Sequence, residues 1–563
     1  MRVLPDVPAI DKTFDYLVPD AVADQVRVGT MVRIALHGRR VGGWVVEDDV
    51  EPPAGKALKP LAKVTGWGPP PDVVALSGWA AWRWAGRRAT FLRTASPPTA
   101  VRGLPPPAPA VPPAAAVGAD PELVHEAFAS PSPVTVRLPP AADPFPLVAA
   151  RHPALVLAPS LGAAAHLAAR LRRAGRPVAL VPREWARAAA GGVTVVGARA
   201  AAWAPAPGLA AVVVVDAHDE VYQEERAPTW NAWQVAAERG RRAGVPVVLL
   251  SPCPTLDLPE PLLLSRAEER AGWPAVLVAD RRRDDPRSGL YSERLVDLLR
   301  SGGRVVCVLN RKGRARLLAC ASCGELARCD RCGSALEQDE GERLRCRACA
   351  ATRPVVCASC GATRLRNLRA GVARVREELE ALAGVPVGEV TGESADVPTT
   401  AVVVGTEAVL HRVPHADVVA FLDLDQELLA PRFRAAEQAL ALLARAARVV
   451  GGRAEGGRLL LQTRVPDHEV VAAAVHADPG RVAAVERPRR EALRLPPAAA
   501  LALVAGEAAD EYVAAAPPEL ERLGPADGRW LLRAPDHRSL CDALARTSRP
   551  SGRLRVEVDP LRA

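Results

Sequence analysis

The 563-residue sequence predicts an α/β protein of two tandem parallel-sheet lobes, with a β-rich region before them, a cysteine module inserted in the second and a small α+β segment at the end. Three observations carry this reading. Short apolar runs alternate with longer helical stretches in two successive series, the mark of parallel strands joined by crossover helices. Eight of the eleven cysteines fall between Cys320 and Cys360. The chain is 49% apolar, mostly Ala, Val and Leu, and is long enough for several separate cores.

Residues 1–98 begin β-rich: Val28–Leu36 and Val41–Glu47 are apolar runs around His37-Gly38-Arg39-Arg40, the pattern of a hairpin with a basic tip. Residues 72–92, which carry Trp79, Trp82 and Trp84, predict a helix. Residues 99–118 are rich in Pro and Ala without periodicity and read as a semi-rigid linker. In the first lobe, 119–272, the expected strands are Ala154–Ala158, Pro177–Val181, Val193–Gly197, Ala211–Asp216 and Val245–Ser251, with helices over Gly162–Ala174 and Asn231–Gly244. The second lobe, 273–478, offers Ala275–Ala279, Val305–Leu309, Thr400–Gly405, Val418–Asp423 and Arg458–Thr463, with the cysteine module at 318–365 after the second of these. Residues 479–563 are mixed and close on a strand at Leu554–Val558.

No apolar run approaches the ~20 residues of a membrane span. Met1–Pro8 is broken by Asp6 and two prolines, which leaves no room for the apolar stretch of a secretory signal. These features predict a cytoplasmic protein without a membrane partner. The formal charge of +9 is carried almost entirely by arginine, lysine standing only at 12, 56, 59, 63 and 312. An excess of Arg, Ala, Gly and Pro is what GC-rich coding imprints; the planar guanidinium fork also suits phosphate, which keeps nucleic acid among the partners.

The clustered cysteines form four Cys-x-x-Cys knuckles: Cys320/Cys323, Cys329/Cys332, Cys346/Cys349 and Cys357/Cys360. Two thiolates at this spacing wrap one face of a tetrahedral Zn²⁺, and two knuckles close a Cys₄ structural site. Four knuckles therefore predict two zinc ions. A disulfide ladder is the alternative, and it does not match thiols clustered at metal spacing in a chain without a secretion signal. The knuckles can pair in three ways; the thirteen residues between Cys332 and Cys346 favour nesting, the inner pair closing over a hairpin and the outer pair meeting at its base. Cys253, Cys307 and Cys541 are scattered and read as buried small hydrophobes. Between Arg304 and Gly371, thirteen arginines and Lys312 face six acids, a balance of +8. Eight thiolates and two Zn²⁺ reduce that to about +4, a modest basic surface able to position a phosphate backbone.

Two α/β lobes raise the question of a nucleotide. A phosphate-binding loop needs a glycine-rich backbone and a lysine, yet no lysine lies between Lys63 and Lys312, and Gly55-Lys56 belongs to the N-terminal region. The first lobe cannot hold a Walker A motif.

Several segments together carry a family resemblance: Thr13-Phe-Asp-Tyr-Leu17, the block from Cys320 to Cys332, Val404-Gly-Thr-Glu407, Asp423-Leu-Asp425, Phe433-Arg-Ala-Ala-Glu437, Leu461-Gln-Thr463 with Pro466-Asp-His468, and Leu495-Pro-Pro497. Over nearly the whole chain the sequence resembles the primosomal replication-restart family, PriA, a group of superfamily 2 DNA helicases. The resemblance implies RecA-like helicase lobes and an N-terminal domain that grips the 3′ end of a nascent strand at a fork. It implies one zinc on Cys320, Cys323, Cys357 and Cys360 and the other on Cys329, Cys332, Cys346 and Cys349. It places Phe14, Asp15, Tyr16, Gly38 and Lys59 in the DNA-end pocket, where an aromatic ring stacks on a base and a carboxylate accepts from the 3′-OH. Core packing is the competing reading of Phe14 and Tyr16. The implied partners are branched and single-stranded DNA, primosome proteins and single-strand-binding protein; the implied cofactors are zinc and ATP.

The departures from the family set the expected activity. The loop position is occupied by Arg137-Leu-Pro-Pro-Ala-Ala-Asp-Pro-Phe-Pro146, whose prolines cannot cradle phosphate. The Asp-Glu-x-His box is reduced to Asp216-Ala217-His218-Asp219, which leaves Asp216 and His218 as remnants of a nucleotide site. The coupling element reads Ser251-Pro252-Cys253, and the late arginines align with Val449 and Gly452, Arg448 and Arg453 lying one position away. The linker is too short for the winged-helix module of longer members. The sequence therefore predicts a fork-binding restart protein of the shortened, helicase-inactive type with no catalytic residues. The alternatives are an ATP-dependent 3′→5′ helicase with a diverged loop and a zinc-ribbon assembly protein without a DNA role.

Overall fold

The computed structural model describes the chain except residues 8–9, 52–56, 110–117, 119, 285–289, 310–317, 339–342, 348, 368–371, 393, 395 and 563. The segment 110–117 of the expected linker thus lies outside the described residues. The N-terminal region is a five-stranded antiparallel sheet of β1 (Arg2–Pro5), β2 (Phe14–Asp15), β3 (Met31–Leu36), β4 (Arg39–Glu47) and β5 (Lys63–Gly66), in the order β2-β1-β4-β3-β5. The β3–β4 hairpin turns on His37 and Gly38 alone, both at positive φ. Such a two-residue turn matches the twist of its strands, so β4 starts at Arg39 and not at Val41.

The single helix expected over 72–92 is two, Pro71–Arg83 and Arg88–Ala95. Ala85 at φ 46° ends the first, and Gly86 lies where a Cβ would strike Pro228. The close approach to the first lobe, invisible locally, dictates the break. Trp84 and Phe91 share one buried cluster with Leu155, Val212 and Trp203 of that lobe and with Ala502 and Tyr512 near the end of the chain. Part of the Pro/Ala stretch is docked as well: Trp67 donates its N–H to the Val101 carbonyl at 2.8 Å, and Ala108 donates to Gly191 at 3.1 Å.

The first lobe is a seven-stranded parallel sheet of β6 (Pro133–Arg137), β7 (Ala154–Leu157), β8 (Val178–Leu180), β9 (Thr194–Gly197), β10 (Ala211–Val215), β11 (Val247–Ser251) and β12 (Pro261–Leu263), in the order β12-β6-β11-β10-β7-β9-β8. Its central strand, Ala-Val-Val-Val-Val, is buried throughout, as a sheet covered on both faces requires. The helix Leu161–Arg173 is capped by Ser160; Ala232–Ala243 is capped by Asn231 and stops at Gly244, φ 65°. Strands β6 and β12 were not expected, because prolines at and beside them mask a short apolar run.

In the second lobe β13 (Ala275–Asp280) and β14 (Val305–Val308) precede the cysteine module, which contributes β15 (Leu318–Cys320), β16 (Leu336–Gln338), β17 (Arg343–Cys346), β18 (Thr352–Pro354) and β19 (Leu365–Asn367). The lobe resumes with β20 (Val387–Val390), β21 (Val402–Gly405), β22 (Val418–Phe421) and β23 (Arg458–Thr463), giving a parallel sheet in the order β13-β23-β22-β14-β21-β20. The end of the chain is an antiparallel sheet of β24 (Ala500–Ala505), β25 (Glu521–Ala526), β26 (Arg529–Ala534) and β27 (Arg555–Val558), flanked by helices Ala509–Ala515 and His537–Arg546. No helix among the described residues is long and apolar enough to cross a membrane.

Candidate zinc module, DNA-end site and inter-lobe cleft

The eight clustered thiols form two groups. Cys320 Sγ lies 3.5 Å from Cys360 Sγ and Cys323 Sγ 3.6 Å from Cys357 Sγ; in the inner group Cys329–Cys349 is 3.5 Å and Cys332–Cys346 is 3.4 Å. Within each group every sulfur is within 4.8 Å of the others. Tetrahedral Zn–S bonds of ~2.3 Å place sulfurs about 3.8 Å apart, so both cages fit the ion. The pairing is nested: β16, β17 and β18 form the hairpin sheet that carries the inner group, and β15 pairs with β19 beneath the outer one. Gly324, Gly333 and Gly361, each at positive φ, follow the second cysteine of three knuckles; Ala350 takes the same place in the fourth at φ 58°. The module is seated on the second lobe, where Ala335 donates to the Leu429 carbonyl at 3.0 Å and Ala319 and Leu326 join its buried cluster.

At the N-terminal sheet, Asp15 stands opposite Arg2 across β2–β1, and Arg2 stands opposite Glu47 across β1–β4. Arg2 Nε donates to Asp15 at 3.0 Å and Nη1 to Glu47 at 2.7 Å, one charged row over three strands. Phe14 is half-buried against the small core of this sheet. Tyr16 is 4% exposed and its hydroxyl donates to the Ala35 carbonyl at 3.0 Å, so its ring belongs to that core and offers no free face to a base. The Lys59 carbonyl accepts from Leu17 N–H at 3.0 Å, which sets Lys59 beside the Phe14–Tyr16 segment, and Gly38 forms the hairpin tip.

The cleft between the lobes is lined by the carboxyl ends of the first lobe's parallel strands. Asp216 follows β10 in a left-handed conformation, φ 57°, a sparsely populated region for a residue with a side chain. Both of its oxygens are taken by the guanidinium of Arg448, one of these contacts at 2.5 Å, and Arg448 Nε donates to the Pro140 carbonyl at 3.2 Å. Burial opposes the charge on Asp216, but Arg448 overrides it and holds the carboxyl below its ordinary value. Burial disfavours the charged form of His218 and lowers its pKa from the ordinary value; its Nδ1 lies 3.0 Å from Ser251 Oγ. Asp219 is paired with Arg445 at 2.5 Å. Arg453 is exposed on the turn beyond.

The comparisons with known proteins fall on these same parts. Residues 2–97 match a family model described as the 3′ DNA-binding domain of PriA. The probable replication restart protein PriA of Mycobacterium tuberculosis is 30% identical over 581 residues, covering 89% of this chain and 86% of that protein. The Mycobacterium leprae protein of the same name is 30% identical over 618 residues, covering 92% and 90%. The chain belongs to the PriA family. The Bacillus subtilis replication restart protein PriA is 28% identical over 312 residues, and the match spans only 38% of its length; the chain spans half or less of the first such relatives it matches. A DEAD box protein from Methanococcus jannaschii is similar in structure at 10% identity and a TM-score of 0.30, over 67% of this chain and 89% of that one.

Three observations bear on what the sequence leads one to expect of the cleft. Arg448, one position away from where alignment put an arginine, does enter the cleft, because its long side chain spans the offset. Ser251 Oγ lies 3.0 Å from His218 Nδ1, and Cys253 N–H donates to the same hydroxyl at 3.2 Å, so Ser251 ties the end of β11 to the segment after β10. The carboxylates Asp219 and Glu220 follow the box, but both are engaged from the second lobe, by Arg445 and Gln438. A magnesium nucleotide does not fit these residues: Pro139 and Pro140 supply no N–H, and the oxygens that would face the metal already face a guanidinium.

Proposed function

We propose that this chain is a DNA-binding component of replication restart that recognises an abandoned fork by its 3′ end and acts without unwinding. The match of residues 2–97 to a 3′ DNA-binding model is the observation that carries the reading. Asp15, oriented by Arg2, is the acceptor for the terminal 3′-OH, Phe14 supplies the apolar wall, Gly38 and Lys59 flank the strand, and Tyr16 supports the pocket from within the core. Residues 1–98 form the DNA-end domain, 99–118 its linker, 119–272 and 273–478 the lobes, and 479–563 the C-terminal domain. The zinc module, raised on the second lobe, offers a surface to primosome proteins, and single-strand-binding protein is a further partner. Helicase activity finds no support in a cleft where, among the described residues, Asp216 and Asp219 are both paired with arginines of the second lobe.

The test is a binding titration on forks with and without an exposed 3′ end, beside ATP hydrolysis on the same preparation. Asp15→Ala should weaken binding to the 3′-ended fork about tenfold or more, the scale of one charge-assisted hydrogen bond, and leave blunt duplex unaffected. Equal loss on both substrates would remove the pocket; DNA-stimulated ATP turnover would restore the helicase.

A further inference from the structure

One face of the helix Ala435–Val450, with the arginine that precedes it, repeats at spacings of four and three: Arg434, Gln438, Ala441, Arg445, Arg448. Such positions lie in a single stripe along a helix. Each polar member of the stripe meets a different acid of the first lobe. Arg434 pairs with Asp257, Gln438 with Glu220, Arg445 with Asp219 and, within its own lobe, with Glu407 at 2.8 Å, and Arg448 with Asp216. Around the stripe, Glu437 accepts the Leu256 N–H at 2.8 Å, and Arg266 donates to the carbonyls of His476 and Ala477, both at 2.8 Å.

A second kind of contact points the same way. A Cβ on Gly452 would lie 2.5 Å from the Ala271 carbonyl oxygen and 3.3 Å from the Ala141 side chain, both in the first lobe. Gly452 sits at φ −77°, a conformation open to any residue, so only the proximity of the other lobe calls for glycine there. Ala141 itself is pinned by donating to Gly272 at 3.1 Å, which ties the proline-rich loop to the place where the lobes touch.

We infer that the stripe on Ala435–Val450 is a built-in latch that holds the two lobes closed without nucleotide, the Arg448 guanidinium taking the position beside Asp216 that a metal-bound phosphate would need. In a helicase of this fold, closure is transient because the ligand that bridges the lobes is consumed. Here the bridge is covalently part of the chain, so the lobes present one fixed surface. Asp216 is 7% exposed while Arg448 keeps 40% exposure, so the pair is sealed on the side of the first lobe and open on the side of the cleft mouth. This inference stands independently of what the N-terminal domain binds.

Hydrogen exchange and small-angle scattering on the full zinc-loaded chain test it. The wild-type scattering profile should be unchanged by millimolar magnesium ATP, with peptides over 216–222 strongly protected. Arg445→Ala combined with Arg448→Ala should speed exchange over 216–222 about tenfold or more while zinc content and the exchange of β24–β27 stay as they are. Gly452→Leu, which leaves every charge in place, should enlarge the particle by wedging the lobes. A wild-type profile that shifts on adding magnesium ATP would overturn the latch. So would unchanged exchange in the double variant, or an unexpanded Gly452→Leu that keeps its fold by circular dichroism.

Discussion

The zinc module and the inter-lobe cleft are two places where ionisable side chains converge, and they are completed in opposite ways. The module keeps eight thiols at distances that fit two zincs. The cleft gathers Asp216 and the Ser251–His218 bond at the strand ends and closes over Asp216 with Arg448 of the second lobe. The difference is one of what the ion does for the chain. A structural zinc holds a small module that has little core, so loss of any ligand unfolds it. The cleft lies between large buried clusters, the first lobe's running on into Trp84, Phe91, Ala502 and Tyr512, and Arg448 meets Asp216 directly across it.

The largest effect is expected where that dependence is greatest. Cys329 is buried in one small cluster with Leu318, Ala327, Leu336, Leu344 and Cys346, the module's interior among the described residues. Cys329→Ser should reduce bound zinc from two ions per chain to one and expose β16–β18 to protease, since apparent zinc binding energies of ~10–16 kcal/mol are folding energy in such sites. Retention of two zincs would refute the inner ligand set. The lobes should be untouched by it, with the stability of β6–β12 unchanged, and that asymmetry is what separates the two regions.

A smaller effect distinguishes the acids at the strand ends of the two lobes. Asp216 is held ionised by Arg448, whereas Asp425, after β22, is raised to about 7 by burial and by the neighbouring charge of Asp423. A folded-state value above the ordinary 3.8 means that the unfolded chain releases this proton first. Its contribution is therefore fully present below about pH 4 and is lost as pH rises towards 7. Asp425→Asn should remove that slope: relative to the wild type the variant gains stability between pH 4 and pH 7, by up to a few kcal/mol. It also gives up part of the acceptor set for Thr463 and the Arg464 N–H, 2.9 Å away, a loss that does not vary with pH. Parallel curves of unfolding temperature against pH would show that Asp425 is ionised throughout.

How much of this was legible follows from how local each feature is. The metal ligands repeat at a spacing of three within forty residues, so chemistry and geometry sit in the same few letters. The lobes were legible as well, apart from strands such as β6 and β20, where proline or a lone short run hid them. The latch was not, because Pro140, Asp216 and Arg448 come from three distant segments, and an alignment that fixes positions cannot see that a long arginine reaches one position further. The spacing of Arg434, Gln438, Arg445 and Arg448 was a signal in the sequence, but their polarity disguised a stripe that faces protein. Tyr16 was ambiguous for the same reason: the distant carbonyl of Ala35 decides that its ring is core.

The smallest prediction returns to the module and to the one knuckle that departs from the others. After the second cysteine the chain turns back so that the first cysteine's N–H donates to the carbonyl two residues beyond the second, Cys320 to Glu325, Cys329 to Ser334, Cys346 to Ala351 and Cys357 to Ala362, each at 2.8 Å, and this needs a left-handed residue in between. Gly324, Gly333 and Gly361 adopt it freely, whereas Ala350 carries a Cβ at φ 58°, a conformation that costs an L-residue roughly 1 kcal/mol. Ala350 is exposed, so its methyl group contributes no packing to offset the strain. Ala350→Gly should then stabilise the inner zinc site by about 0.5–1 kcal/mol, the relief of strain outweighing the added freedom of the unfolded chain. A slower release of one zinc of the two to a competing chelator is the measurement. Faster release would mean that alanine is there to stiffen the unbound knuckle, and that this module, unlike the cleft, is tuned through its unfolded state.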